Sequence, residues 1–346
     1  MKILITGGAG FIGSTIASAC ADAGLEPVIL DDLSTGLRSF AERFAFYEGD
    51  YGDALLVRRL LAEHPDLVAV VHCAASIVVP ESMQEPLKYY NNNVSKLTTF
   101  LAELVSGGCK RLLLSSTAAM YEPSADLIVD EQASVKPLSP YAASKQMAER
   151  IMADVAATTE LQVIALRYFN PIGADPGLRT GLQVEHPSHA LGKLLEAHQE
   201  GRPFTVTGTD WPTRDGSGIR DYVHVWDLAR AHVASLQRFD DVMAGETTSP
   251  GFDVINLGSG SGTTVFELVE AFVAVTGSSL ETLTGAPRPG DVIGCCASAD
   301  KADHVLDWQP ELSVAQGIAD ALAWSALLPA VLRDPLNRDR HTATDH

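Results

Sequence analysis

Three features of this 346-residue chain predict an α/β fold, a doubly wound parallel sheet with a smaller C-terminal lobe laid over it. A strand, a glycine turn and a helix stand at its start. Short apolar runs then alternate with helical patterns up to about residue 167, as in a parallel sheet covered on both faces. From about residue 170 the texture changes to Gly, Pro and short segments. Residues 1–169 are expected to form the sheet domain and 170–330 mainly the lobe, with some elements returning to the main sheet. Residues 331–346, rich in Arg, Asp, His and Thr, read as a loose polar tail.

Residues 2–6, Lys-Ile-Leu-Ile-Thr, are the first strand, and Gly7-Gly8-Ala9-Gly10-Phe11-Ile12-Gly13 leads into a helical pattern over 14–23. Glycines permit a tight turn and let a pyrophosphate approach the backbone at the helix N-terminus, where free N–H groups and the dipole favour anions. The second strand, 27–30, ends at Asp31-Asp32, 18 positions after Gly13. An acid there suits the two ribose hydroxyls of NAD and repels a 2′-phosphate. No arginine precedes Arg38, so NAD is expected rather than NADP. These features mark the sheet as Rossmann-like.

Further strands are expected at 44–47, 67–72, 111–114 and 161–166, with helices at 53–63, 84–105 and 141–156. The lobe should hold helices at 189–200, 225–238 and 264–275. Ligands belong beyond the carboxyl ends of the sheet strands. Ser115-Ser116-Thr117 ends the 111–114 strand at that edge, where a hydroxyl can meet both a substrate hydroxyl and a phenol. The phenol is Tyr141, which follows Pro140 and stands one helical turn before Lys145 on the same face. A phenol of pKa ~10 needs a shift of about three units, on the order of 4 kcal/mol, to act as a base near neutrality. A neighbouring ammonium supplies part of it. The bland alternative is a surface aromatic beside a solvated lysine; the glycine turn argues against it. Asn91, Asn92 and Asn93 lower the propensity of the 84–105 helix, so at least one has a polar role.

Hydrophobic content of 46% is that of a globular protein, and neither a signal-type start nor an apolar stretch long enough to span a bilayer is evident, so a soluble cytoplasmic protein is expected. Five cysteines (20, 73, 109, 295, 296) are scattered, without CxxC and without histidines at ligand spacing. They read as reduced thiols, and no metal site is expected. A net charge of −19 argues against nucleic acid or an anionic membrane as partner. It leaves room for a phosphorylated substrate, because screening over about 8 Å lets a local arginine pair outweigh the distant field.

Gly-Gly-Ala-Gly-Phe-Ile-Gly, Asp-Asp-Leu-Ser-Thr-Gly at 31–36, Val-Val-His-Cys-Ala-Ala at 70–75, Ser-Ser-Thr-Ala-Ala-Met-Tyr at 115–121 and the Tyr141/Lys145 pair together resemble the extended short-chain dehydrogenase/reductase family. Within it, the stretches 166–174, 215–229 and 256–260 and Arg288-Pro289-Gly290-Asp291 resemble the UDP-glucose 4-epimerases, over about residues 1–326 in all. The resemblance implies that Tyr141 is base and acid, that Lys145 holds the nicotinamide ribose and tunes Tyr141, and that Thr117 occupies the serine/threonine position. It implies an NAD site built from Gly7, Gly10, Phe11, Ile12, Gly13, Asp31, Asp32, Leu33, Ser34, Thr35, Gly36, Asp50, Tyr51, Cys73, Ala74, Ala75, Asn92, Ser115, Tyr168 and Phe169 with Tyr141 and Lys145. It implies a UDP-sugar site built from Thr117, Tyr141, Asn170, His189, Thr205, Arg220, Arg288, Asp291 and Cys295. Guanidinium forks at Arg220 and Arg288 suit pyrophosphate oxygens.

The implied activity is epimerisation at carbon 4 of a UDP-hexose through a 4-keto intermediate. Another NAD-dependent nucleotide-sugar enzyme, such as a UDP-glucuronate 4-epimerase or a dehydratase, is the alternative. A dehydratase would carry an acidic pair after Thr117, where this chain has Ala118-Ala119. A non-catalytic regulator would have lost the tyrosine or the lysine. The resemblance also implies a homodimer through helices near 85–105 and 141–157. Ile77 in place of a lysine, Ser188-His189 in place of two asparagines, Thr207 in place of an aromatic and Cys295 in place of a tyrosine depart from the commonest pattern. The small Cys295 leaves room beside carbon 2 of the sugar, which suggests the N-acetylhexosamine pair as further substrates.

Overall fold

The computed structural model describes residues 1–122, 127–287 and 292–337. The first half lays down β1 (Lys2–Thr6), α1 (Phe11–Asp22), β2 (Glu26–Asp31), α2 (Arg38–Ala41), β3 (Ala45–Glu48), α3 (Ala54–Glu63), β4 (Leu67–His72), α4 (Val79–Gln84), α5 (Pro86–Tyr90), α6 (Lys96–Ser106), β5 (Arg111–Thr117), the short β6 (Ile128–Val129), α7 (Pro140–Ala156) and β7 (Gln162–Tyr168). The second half adds β8 (Asn170–Ile172), α8 (Ala190–Glu200), β9 (Phe204–Thr207), β10 (Ile219–His224), α9 (Val225–Gln237), α10 (Phe239–Ala244), β11 (Phe252–Leu257), β12 (Gly262–Thr264), α11 (Val265–Thr276), β13 (Thr282–Gly285), β14 (Cys296–Ala297), α12 (Asp300–Leu306) and α13 (Val314–Leu332).

Seven parallel strands form the main sheet in the order β11-β7-β5-β4-β1-β2-β3. Chain order reverses at β1, which pairs with β2 on one side and β4 on the other, and a switch point of this kind opens a crevice at the strand ends. Alternate residues of each strand face opposite layers. Ile3 and Ile5 pack in the layer that holds Ile16, Leu228 and Trp308, while Leu4 joins Val70, Phe100 and Met152 in the other. β11, from the second half of the chain, joins the edge of this sheet by pairing with β7. Among the described residues three small sheets stand apart from the main one: β12-β10-β8 and β13-β9 in the second half, and β14-β6, which joins the second half to the first. The lobe core includes Leu194, Phe204, Tyr222, Phe272 and Ile318.

Most expected elements hold to within a few residues, and the differences have local causes. The expected 84–105 helix is broken into α5, a π turn over Asn91–Ser95 and α6, with α4 standing before it. Pro86 cannot continue α4, because it lacks an N–H and its ring clashes with the preceding turn. The β5 strand runs three residues past the expected 111–114, because Ser115, Ser116 and Thr117 keep pairing with Leu166, Arg167 and Tyr168. The α1 helix begins three residues early, at Phe11.

α10, α12 and α13 were not expected. By length and composition α13 could cross a membrane, with a mean hydropathy of 1.4, contrary to the sequence expectation that no stretch could. Here it is a lobe helix: Gly317, Ile318, Ala321 and Trp324 are buried, and it packs on α11, β10 and β8. Residues 331–337 are not the expected loose tail. Asn337 is buried, accepts the Ser39 N–H at 3.1 Å, and donates to Ser39 Oγ at 3.0 Å and to the Val331 carbonyl at 2.8 Å. The remainder of that expected tail lies outside the described residues.

Candidate active site

The glycine turn is shaped by close approach. Gly7 has φ 71°, and a Cβ there would sit 2.6 Å from the Ala74 amide nitrogen, so only glycine lets β1 and β4 open side by side. A Cβ on Gly13 would lie 2.2 Å from the Gly7 carbonyl oxygen, which fixes α1 against the turn. Gly10 differs. It is the N-cap of α1, no side chain caps the helix, and a Cβ would meet nothing closer than 3.4 Å. The first N–H groups of α1 are thus left for an anion.

Asp31 ends β2 beside this turn. Its two carboxylate oxygens accept from Ala9 N–H at 2.9 Å and Leu33 N–H at 2.8 Å. Burial pushes its carboxyl up to about 6, and the two backbone N–H groups pull against that. Gly36 packs against Ala9 and Asp31. Asp32 is exposed and accepts from Ser34 N–H at 2.9 Å and Ser34 Oγ at 2.6 Å. An uncapped helix start, a glycine where a ligand can approach and a carboxylate at the strand end fit an NAD dinucleotide.

The end of β4 closes the other wall. His72 stays neutral, its pKa lowered to about 3 by burial, and its Nδ1 lies 2.7 Å from Thr6 Oγ1. Cys73 Sγ lies 3.0 Å from Ser115 Oγ, tying β4 to β5. Asp50 forms an ion pair with Lys96 at 2.6 Å. The Tyr51 phenol donates to the Asn92 carbonyl and its ring stands edge-on to His72. Asn92 Nδ2 donates to Ser76 Oγ at 3.2 Å. The buried asparagine of the trio is Asn93, which sequence reasoning did not single out. It accepts the Ser76 N–H at 2.8 Å and donates to the Ser76 carbonyl at 2.9 Å and to Ser144 Oγ at 3.0 Å. It therefore fastens the π turn to both β4's exit loop and α7.

α7 starts where its sequence dictates. Ser139 caps it by accepting the Ala142 N–H at 3.2 Å, and Pro140 takes the first-turn position where its missing N–H costs nothing. Tyr141 and Lys145 are 9% and 4% exposed, which removes the alternative of a surface aromatic beside a solvated lysine. Burial raises the Tyr141 pKa, and a hydrogen bond with Thr117 opposes that. Lys145 Nζ, the cation expected to tune that phenol, donates to the Ser115 carbonyl at 2.7 Å. Burial lowers its pKa to about 8. Tyr168 hydrogen-bonds Ser115 and lies near enough to Tyr141 to feel it. One cluster thus gathers Ser115, Thr117, Tyr141, Lys145 and Tyr168 at the carboxyl end of β5.

Beneath it runs a buried polar network that the sequence reading also missed. Arg167 forks onto Glu149, with Nε to Oε1 at 2.9 Å, and Ser116 Oγ donates to the same carboxylate. Arg167 donates to the Tyr121 phenol oxygen at 2.9 Å, and that phenol donates to Asn256 Oδ1 at 2.8 Å. Glu149 stands one helical turn beyond Lys145, so its periodicity with Tyr141 and Lys145 was the available signal.

On the lobe side, Asn170 opens β8 directly after Phe169. Cys295 packs in the cluster of Ala118, Tyr121 and Phe169, within reach of the Arg220 charge. Arg220 donates to the Ile219, Ile293 and Val292 carbonyls at 2.7, 3.0 and 3.2 Å. Its guanidinium thus holds the chain just after 288–291, and Arg288 and Asp291 lie outside the described residues. His189 is the N-cap of α8, its Nδ1 accepting the Gly192 N–H at 3.2 Å. Thr205 and Thr207 project toward Gly285 across the β9–β13 pair.

The chain matches the NAD dependent epimerase/dehydratase family over residues 3–258. It is 39% identical over 330 residues to a UDP-glucose 4-epimerase of Azospirillum brasilense, spanning 94% of this chain and 92% of that one. Its fold is similar to that of UDP-glucose-4-epimerase from Stenotrophomonas maltophila with bound NAD and formylated UDP-arabinopyranose, at TM-score 0.89 and 33% identity over 95% of this chain and 99% of that one. It is also similar to a UDP-Glc/GlcNAc 4-epimerase from Campylobacter jejuni, at TM-score 0.79 and 34% identity over 94% and 99% of the two chains.

Proposed function

The chain belongs to the NAD dependent epimerase/dehydratase family, and from that premise we propose that it is a UDP-glucose 4-epimerase, interconverting UDP-glucose and UDP-galactose with NAD as its resident cofactor. The observation that carries this reading is the Thr117–Tyr141–Lys145 cluster at the carboxyl end of β5, beside an uncapped α1 N-terminus and Asp31. NAD, when bound, accepts the hydride of sugar carbon 4 and returns it.

The protein's own groups do the rest. Thr117 and Tyr141 meet the 4-hydroxyl, and Tyr141 takes its proton as the 4-keto sugar forms. The keto sugar turns about its link to UDP, presents its other face and receives hydride there, while Tyr141 gives the proton back. Net redox is zero. Lys145, fixed on the Ser115 carbonyl, positions the nicotinamide ribose. Asp31 accepts from the adenosine ribose hydroxyls. Arg220 and Arg288 hold the pyrophosphate, with Asn170, Thr205, His189, Asp291 and Cys295 around the sugar and nucleoside.

A dehydratase is disfavoured because Ala118 and Ala119 supply no acid after Thr117. The five cysteines are all free thiols, in keeping with a reducing, cytoplasmic setting. A homodimer is supported by exposed apolar side chains at Ile77, Val78, Met83, Leu87 and Met147, on and beside α4, α5 and α7.

The test is turnover of UDP-glucose to UDP-galactose by purified protein without added cofactor. Tyr141→Phe should lower it by roughly a hundredfold or more while NAD stays bound. Near-normal turnover in that variant would remove Tyr141 from the mechanism, and failure of the wild type on UDP-glucose would sink the epimerase reading.

A further inference from the structure

A stretch of lobe sequence crosses back over the nucleotide end of the main sheet. Residues 173–184 leave β8, run along α1 from its last residue, Asp22, past Thr15 toward the glycine turn, and continue toward α8. Asp175, fully buried, organises the crossing: its N–H donates to the Thr180 carbonyl at 3.0 Å, and its carboxylate accepts the Gly177 N–H at 2.9 Å. Leu178, at φ 52°, tops this turn and packs with Leu37, Phe40 and Trp324.

The strap grips both sides. Toward the nucleotide domain, Arg179 forks onto Asp22 of α1 at 2.7 and 2.9 Å, and the Thr180 and Thr15 hydroxyls meet at 3.1 Å. Gln183 donates to the Thr35 carbonyl at 3.1 Å, and its Nε2 would lie 3.9 Å from a Cβ on Gly10. Toward the lobe, Trp324 Nε1 of α13 donates to the Leu182 carbonyl at 2.8 Å, and Gly181 lies flat on the indole.

Gln183 is therefore a polar side chain, 5% exposed, that comes from the lobe and ends between the two loops fitted to the dinucleotide. The chain from Asp31 to Leu37 cannot swing away from α1 without breaking that bond and opening the Leu37–Phe40–Leu178–Trp324 cluster. Redox-neutral epimerisation, on which this inference rests, needs such a restraint: a cofactor lost after the first hydride transfer leaves the enzyme empty and the sugar oxidised.

We propose that the 173–184 strap is a latch that retains the dinucleotide between half-reactions, with Gln183 as a positioning residue acting through Thr35 and the Gly10 turn. The test follows dinucleotide release from the purified holoenzyme into an enzymatic NAD trap, for wild type, Gln183→Ala and Arg179→Lys. Melting temperature is read at saturating NAD to separate release from folding. Release from Gln183→Ala should be roughly fivefold faster or more, about the worth of one hydrogen bond. Its turnover should decay during the assay and recover on adding NAD. Arg179→Lys, which loses the fork onto Asp22, should shift release the same way. Both variants releasing at the wild-type rate overturns the latch alone. A wild type that purifies without dinucleotide overturns the resident-cofactor reading together with the latch.

Discussion

Burial raises the pKa of the Tyr141 phenol, and among the described residues a hydrogen bond with Thr117 opposes that and favours the ionised form the base needs. Lys145, the ammonium expected to tune that phenol, donates to the Ser115 carbonyl of β5. Asp31 is tuned by the same force in a way that can be measured. Burial raises its carboxyl to about 6, so folding disfavours the charged form. Its contribution to the stability of the ligand-free protein is then least favourable above that pH and improves as pH falls through 6 toward the ordinary carboxylate range. Ribose hydroxyls need the carboxylate as acceptor, so dinucleotide retention should run the other way and weaken below about pH 6. Asp31→Asn should remove that dependence. A wild-type dissociation rate that stays flat from about pH 7.5 to about pH 5 would refute the role. Cys295 carries the residue-scale prediction about the sugar. It sits with Ala118, Tyr121 and Phe169 next to the acid–base cluster, and a phenol ring there would fill the space a cysteine leaves. The wild type should therefore epimerise UDP-N-acetylglucosamine as well as UDP-glucose, and Cys295→Tyr should lose the N-acetyl activity selectively. Absence of that activity in the wild type sinks the pocket reading.

At the scale of elements, legibility follows the range of the interactions. The β1–turn–α1 unit, β2 ending in Asp31 and α7 opening at Tyr141 are specified by neighbours within a few residues: glycines at close approaches, an acid at a strand end, Ser139-Pro140 at a helix start. The segment 79–106 was only half legible. Its apolar periodicity is real, but Pro86 and the asparagine triplet divide it, and the division makes sense only once Ser76 and Ser144 are seen to receive Asn93. The Glu149–Arg167 pair was hidden for a similar reason. A glutamate in a helix reads as solvent-facing until an arginine from β7 and Ser116 from β5 come to meet it. α7 is the element on which the chemistry depends, so its start is the place to perturb it. Ser139→Ala removes the N-cap and should cost about 1 kcal/mol of unfolding free energy, measured in urea. It should also lower turnover, because Tyr141 is the second residue of that helix. The Tyr89 ring stands edge-on to Tyr141 at 6.5 Å between centroids, and a loss of stability with turnover unchanged would show that this contact and Thr117, rather than the cap, fix the phenol.

Across the whole molecule, two features pull in opposite directions. A net charge of −19 keeps copies apart, whereas apolar side chains lie exposed along one side: Ile77 at 58%, Met83 at 54%, Leu87 at 80% and Met147 at 44%. Scattered exposed apolar residues are ordinary, but these four lie on or beside α4, α5 and α7, helices that pack on one another. The same elements carry the loop from β4 to the π turn and the start of α7, so a partner seated there would also brace Tyr141 from outside. Association should then be governed by apolar burial against charge repulsion, and added salt should strengthen it by screening the repulsion. Leu87 is the residue to change, because it is the most exposed of the set and its side chain holds nothing in the described fold. Leu87→Glu should turn a dimer into a monomer in sedimentation velocity while leaving the melting curve at low protein concentration close to that of the wild type. Wild-type protein that sediments as a monomer at micromolar concentration and raised salt would remove this face as a self-association surface. A dimer that survives Leu87→Glu and Met147→Glu together would place the interface elsewhere.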